Sequence, residues 1–209
     1  MIRPDGFRGA AFGTTVEGDA RVDAASRRVV SGSLGVTELW ATVEQVHGAH
    51  VVEATVAGNL GEADAIFTLV PDLPLAVGVA DCVPVIIEGP EAVAVVHAGW
   101  RGAVAGVVER TLEALNDAGT APIRAAIGPA IGPCCYEVGA DVADRLPGHV
   151  SSTTWGTTSV DLPGFVADRL VGLEVWRSGD CTFTAAHLFS YRRDQTKSRQ
   201  TAVAWLPTG

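Results

Sequence analysis

The sequence predicts one α+β domain, with mixed α and β elements packed in layers. Three observations carry this. A chain of 209 residues is long enough for one substantial core and short for two full domains. Hydrophobic residues make up 47% and charged residues 19%, a balance that favours a packed fold over disorder. Strand-like and helix-like segments also mix without strict alternation, which points to layers on a common core.

The elements follow in chain order. Ala20 to Leu34 is expected to form a short helix, with Val22, Val29 and Val30 on its apolar side. Val51 to Val56 is rich in β-branched residues and reads as a strand ending at Gly58-Asn59. Ala65 to Val70 is a second, stopped by Pro71. Leu75 to Val79, Val83 to Ile87 and Ala92 to Val96 are apolar on both faces, as strands buried on both sides are. A turn, His97-Ala98-Gly99-Trp100-Arg101-Gly102, leads into a helix with Val104, Val107, Val108, Leu112 and Leu115 near helical spacing. Asn116-Asp117-Ala118-Gly119 stops it. Arg124 to Ile127 restarts a strand that enters the rigid loop Gly128 to Cys135. Val138 to Leu146 and Leu162 to Leu170 read as helices, the second tolerating Pro163 in its first turn. Val175-Trp176, Phe183 and Ala202 to Leu206 are late strand candidates.

Composition excludes some functions. The net charge is −9, which argues against wrapping a nucleic-acid backbone. No apolar run approaches about 20 residues, so no membrane helix is expected. Met1 to Gly6 lacks the apolar stretch of a secretory signal, so a cytoplasmic location is expected. In that compartment Cys82, Cys134, Cys135 and Cys181 should be reduced thiols.

Three polar residues stand where apolar strands end or turn: His47, Cys82 and His97. One thiolate and two imidazoles form a donor set that zinc accepts, and three protein ligands leave the open position of a catalytic site. Each residue also has a simpler reading, a hydrogen-bonded histidine or a core cysteine. The Gly99-Trp100-Arg101-Gly102 turn combines backbone N–H groups with a guanidinium fork suited to an anion. Asp81 either orients a ligating histidine or caps a turn. Tyr191-Arg192-Arg193 is either an anion site or a partner for the surplus acids. The Cys134-Cys135 loop either walls a pocket or is a structural crossover.

Six segments in order carry a family resemblance: Gln45-Val46-His47-Gly48, Ala63-Asp64-Ala65, Ala80-Asp81-Cys82, His97 to Gly102, Ile127 to Val138 and Phe189 to Arg193. Over roughly residues 10 to 206 the chain resembles the YfiH-type family, also labelled multicopper polyphenol oxidase or laccase-domain proteins. The resemblance implies a fold like the catalytic domain of cytotoxic necrotising factor. It implies that His47, Cys82 and His97 are the metal-binding and catalytic residues, with zinc as the cofactor or copper in its place. It also implies purine nucleoside phosphorylase activity on adenosine, inosine, guanosine and methylthioadenosine, with inorganic phosphate as co-substrate, and adenosine deamination. Gln45, Asp81, Gly99, Arg101, Tyr191 and Arg192 are the expected substrate- and phosphate-binding residues. The expected partners are small molecules, with the chain a monomer or small homo-oligomer. Alternatives are a Cys/His amide hydrolase in peptidoglycan-precursor editing, a copper polyphenol oxidase, and an accessory protein that binds metal or nucleoside.

The chain departs from the family near its start. Thr15 replaces an arginine, a glycine-rich stretch is missing, and Ser26-Arg27 stands where Asn-Arg is usual. The domain therefore has a shortened N-terminal segment around residues 10–36, a region that the resemblance implies helps shape the substrate pocket. Ser198-Arg199 replaces a usual Gly-Arg near the end.

Overall fold

The computed structural model describes residues 1–208. It contains β1 (Ala10–Phe12), α1 (Ala24–Leu34), β2 (Ala41–Glu44), β3 (Val51–Glu53), β4 (Gly58–Glu62), β5 (Ala65–Thr68), β6 (Leu75–Val79), β7 (Val83–Glu88) and β8 (Val93–Ala98). There follow α2 (Trp100–Val104), α3 (Val107–Asp117), β9 (Arg124–Ile127), α4 (Ala140–Ala143), β10 (Val150–Ser152), β11 (Thr158–Val160), α5 (Leu162–Ala167), β12 (Glu174–Arg177), α6 (Tyr191–Asp194) and β13 (Gln200–Ala204).

Two mixed sheets stack face to face. The first has the order β1-β13-β6-β2-β4, the second β12-β9-β7-β8-β5-β3. Between them lie Phe12, Leu75, Val77, Ala202 and Ala204 from the first, against Ile66, Ile86, Val93, Val95 and Ala126 from the second. The outer face of the first sheet packs Ala76 and Val203 on Val30, Leu34 and Trp40 of the α1 region. The outer face of the second packs Val83, Val85, Ile87, Ala94 and Val96 on helical residues including Val107, Val108, Leu115 and Phe165. This helix–sheet–sheet–helix stack explains the doubly apolar strands. Alternate side chains point to opposite faces, and here both faces of β6, β7 and β8 meet packed layers. The expectation of a layered mixed α/β domain holds.

Several elements differ from their sequence expectation. The first helix starts at Ala24, because Asp23 caps it by accepting the Ser26 N–H at 2.7 Å. Only Val30 of the three expected valines is buried; Val22 and Val29 are exposed. The strand expected over Val51 to Val56 stops at Glu53, and Gly58-Asn59 opens β4. The helix expected through Val104 to Leu115 is two helices, because Gly106 adopts φ +86 and breaks the register. Val138 to Leu146 contains only the short α4, and α5 ends at Ala167, before Leu170. Phe183 is not in a strand; its neighbour Cys181 makes one bridge to Ala130. The last strand ends at Ala204, before Leu206.

Candidate metal centre and cationic cavity

The site forms at the seam between the sheets. β6 belongs to the first sheet and β7 to the second, and Ala80-Asp81-Cys82 is the crossover joining them. β8 antiparallel to β7 places His97 opposite Pro84. His97 alternates with Val93 and Val95, so its side chain shares their inter-sheet face. His47 comes from the segment after β2. Two non-glycine residues here hold left-handed backbone, His47 at φ +61 and Asp81 at φ +88. Such conformations cost on the order of 1–3 kcal/mol each and cluster at functional sites.

The three predicted ligands converge. One donor atom from each of His47, Cys82 and His97 lies within 4.8 Å of the others. Cys82 Sγ is 3.9 Å from His47 Nε2, and the two imidazole rings meet edge to face with centroids 4.8 Å apart. A tetrahedral ion with ligands at about 2.0–2.3 Å sets them roughly 3.3–3.8 Å apart, so a small closure suffices. One sulfur and two nitrogens suit zinc and also copper.

One carboxylate organises both histidines. Buried Asp64 receives His97 Nδ1 at 2.7 Å, and its two oxygens also accept the backbone N–H groups of Val46, His47 and Gly48 at 2.6–3.3 Å. His97 Nδ1 is thereby engaged, which leaves Nε2 for ligation. Burial alone would raise the Asp64 pKa, but His97 and the backbone donors outweigh it and hold the carboxyl below the usual value. Sequence reasoning assigned Asp64 no role. Its signal was a single acid between two alanines at the start of an apolar run.

Burial penalises the Cys82 thiolate, but the charge of His97 and hydrogen bonds from both histidines overcome this and lower the thiol to about 6. Burial penalises charged His97 in turn, while the Cys82 thiolate and Asp64 raise it to about 9. Without metal, the pair is a thiolate beside an imidazolium near neutral pH.

Glycines make the approach possible. A Cβ on Gly99 would lie 2.8 Å from His47 Cδ2 and 3.2 Å from Cys82 Sγ. A Cβ on Gly102 would lie 2.6 Å from the Gly48 carbonyl oxygen. The glycine turn thus lets α2 pack closely against His47 and Cys82.

His47, Cys82 and His97 line a cavity of about 570 Å³, within the usual range for small-molecule sites. Arg21, Arg101, Arg192, Lys197 and Arg199 also line it, with Trp100, Tyr136 and Tyr191. Asp81 is the only acidic lining residue. This cationic concentration stands out in a chain of net charge −9. Burial, reinforced by the Cys82 charge, pushes the Tyr136 phenol up to about 12, so it stays protonated near neutral pH.

The other expected contacts divide. Gln45 lines the cavity, but its amide makes two bonds to the Gly78 backbone, at 2.8 and 2.9 Å. Asp81 accepts the Thr182 hydroxyl at 2.6 Å and the Arg192 N–H at 2.7 Å, so it anchors the segment that carries Arg192. Tyr191 and Arg192 face the cavity, whereas Arg193 pairs with Asp194 and donates to the carbonyls of Thr182, Phe183, Ala185 and Leu188. Sequence reasoning missed Arg21, Lys197 and Arg199 as cavity residues. Arg21 crosses the backbone of Gly78, where a Cβ would meet its guanidinium at 2.0 Å, and it pairs with Asp19 at 3.1 Å.

Fold and site together define a mixed α/β protein with a His–Cys–His donor group in a cationic cavity. The family model described as multi-copper polyphenol oxidoreductase laccase matches residues 4–207, and the chain belongs to that family. A purine nucleoside phosphorylase of Deinococcus radiodurans is 39% identical over 202 residues, covering 90% of this chain and 79% of that protein. The purine nucleoside phosphorylase YfiH of Shigella flexneri is 38% identical over 194 residues, covering 86% and 78%. YlmD from Geobacillus stearothermophilus has a similar solved structure, with TM-score 0.86, 28% identity, and coverage of 100% of this chain and 98% of the other. The hypothetical protein YfiH of Bacillus licheniformis matches with TM-score 0.85 and 26% identity, covering 94% and 92%. Among the described residues no helix is long and apolar enough to cross a membrane.

Proposed function

We propose that this chain is a metal-dependent purine nucleoside phosphorylase, acting on adenosine, inosine, guanosine or methylthioadenosine, with adenosine deamination as a second activity. The observation that carries this reading is the convergence of His47, Cys82 and His97 on one cavity rimmed by five cationic side chains. The names of the similar proteins from Deinococcus and Shigella support it.

His47, Cys82 and His97 would hold zinc, or copper in its place. When bound, the ion supplies a Lewis acid that polarises a substrate oxygen or acidifies a water. The chain's own residues do the rest. Asp64 fixes the His97 ring and the His47 backbone, so the donors are preorganised. Phosphorolysis joins a phosphate oxygen to C1′ as the bond from C1′ to the base breaks. The phosphate brings its own negative charge and the departing base develops one, which is neutralised when its ring nitrogen takes a proton, so both charges need holding. Arg101 and Arg192 are the guanidinium forks for phosphate, with Lys197, Arg199 and Arg21 adding positive potential. Trp100, Tyr136 and Tyr191 offer flat faces for a purine, and protonated Tyr136 is a hydrogen-bond donor.

Free base should be released from adenosine or inosine only when phosphate is present. Cys82→Ala should lose both metal and turnover. Undiminished turnover in that variant, or base release indifferent to phosphate, rejects the reading.

A second reading has its own observation. Acidified Cys82, His97 and Asp64 stand in the order of nucleophile, base and orienting acid. That arrangement suits a Cys/His amide hydrolase, including one that edits peptidoglycan precursors. Activity that survives chelation and dies on thiol alkylation selects it. A copper polyphenol oxidase is less well supported, because electron relay to oxygen needs several coppers close together and the cavity offers one three-donor group. An accessory role predicts binding of metal or nucleoside without turnover.

A further inference from the structure

A second group of soft donors lies outside the cavity. One sulfur from each of Cys134, Cys135 and Cys181 lies within 4.8 Å of the others, and none of the three lines the cavity. Cys134 Sγ is 2.9 Å from Cys135 Sγ and 3.6 Å from Cys181 Sγ. The three come from loops 47 residues apart. Backbone bonds hold those loops together: Thr182 N–H donates to the Ala130 carbonyl at 3.0 Å, and Ala130 N–H to the Asp180 carbonyl at 3.3 Å. The sulfurs are therefore placed by the fold. Gly132 donates its N–H to Cys181 Sγ at 3.2 Å.

We infer that Cys134, Cys135 and Cys181 form a binding site for a soft, thiophilic d10 cation, separate from the His47–Cys82–His97 centre. The donor chemistry carries the assignment. Three sulfurs with no imidazole or carboxylate among them select soft cations over hard ones. All three cysteines are free thiols. Cys135 is buried while Cys134 and Cys181 are partly exposed, so an ion has a route in.

Proton balance follows from the surroundings. Burial raises the Cys181 pKa, but N–H groups of Gly132, Thr184 and Phe183 outweigh it and bring the thiol below its usual value. Burial dominates at Cys134 and Cys135 and raises both. A divalent ion bound as a tris-thiolate displaces one proton for each of the three thiols that is still protonated. The site would also brace the cavity from behind. The loop bearing Cys134 and Cys135 gives Ile131 and Tyr136 to the cavity wall, and Thr182, next to Cys181, donates to Asp81.

The test titrates reduced, metal-stripped protein with Cd(II), following thiolate-to-metal charge-transfer absorption. Wild type should bind two ions per chain. Cys82→Ala should keep one, with a sulfur-only spectrum, and the double variant C134S/C181S should keep one, at the other site. Equal stoichiometry in wild type and C134S/C181S overturns the proposal, as does a Cys82→Ala protein that binds none. Should C134S/C181S fail to fold, alkylation of wild type decides. Bound Cd(II) should protect Cys134, Cys135 and Cys181 in peptide maps, and full labelling of all three with Cd(II) present overturns the site.

Discussion

At the scale of single residues, Asp64 controls the centre without lying on the cavity wall. Its carboxylate fixes one histidine by its ring and the other by its backbone. Asp64→Asn keeps the shape but replaces one acceptor oxygen with a donor group. Metal affinity should fall on the order of 10- to 100-fold, as for other partners that orient ligands, and a competition titration with a chromophoric chelator measures it. The charge of the metal-free pair gives a second prediction. Cys82 has a lowered pKa, so its contribution to stability is complete above the ordinary thiol value of 9.0 and is lost as pH falls through about 6. His97 has a raised pKa, so its contribution is complete below the ordinary 6.5 and is lost as pH rises through about 9. Each value depends on the partner's charge, so the ion pair holds between about 6 and about 9. In chelated protein, the Tm advantage of wild type over Cys82→Ala should be largest inside that window and shrink on both sides. The three donors were legible in the sequence because each polar residue interrupts or ends an apolar run. Asp64 stood out only as part of a family segment, and its role was not legible, because a lone acid before a strand looks like any surface carboxylate until its neighbours are placed.

At the scale of elements, legibility followed burial. β6 and β9 lie where the apolar runs predict, β7 within a residue of it and β8 within two, because packing on both faces leaves an unbroken hydrophobic signature. β4 reads Gly-Asn-Leu-Gly-Glu and is mostly exposed at the sheet edge, so its composition resembles a turn. Its strand character comes from backbone pairing to β2, which no side-chain pattern records. The hairpin of β10 and β11 escaped for the same reason: β10 is exposed along its length. The break between α2 and α3 rests on the left-handed conformation of Gly106, and only its distant neighbour Glu109, at 3.7 Å, would meet a Cβ there. Gly106→Ala should therefore cost about 1–2 kcal/mol through backbone strain and not crowding. Urea denaturation measures the loss, which should leave metal affinity nearly unchanged.

At the scale of the whole molecule, an acidic protein presents a basic cavity. Its low-dielectric walls focus the field of the five cations, so an anion is drawn in despite the net charge of −9. Arg101→Ala should raise KM for phosphate by about 10-fold or more, consistent with a charge-assisted hydrogen bond worth roughly 1.5–3 kcal/mol. Added salt should weaken phosphate use in wild type more than in the variant, and initial rates over a phosphate series at two ionic strengths check both. The layered architecture was legible from the sequence, but the stacking of two sheets was not, since their contact joins residues as far apart as Phe12 and Ala126.

The guanidinium of Arg21 rests across side-chain-free Gly78, just ahead of the first helix. The donor triad belongs to later segments. Arg21 thus lends the cavity positive charge from a stretch of polypeptide that holds none of the three donors. Rewriting the opening residues could therefore retune the charge of the cavity and leave His47, Cys82 and His97 untouched.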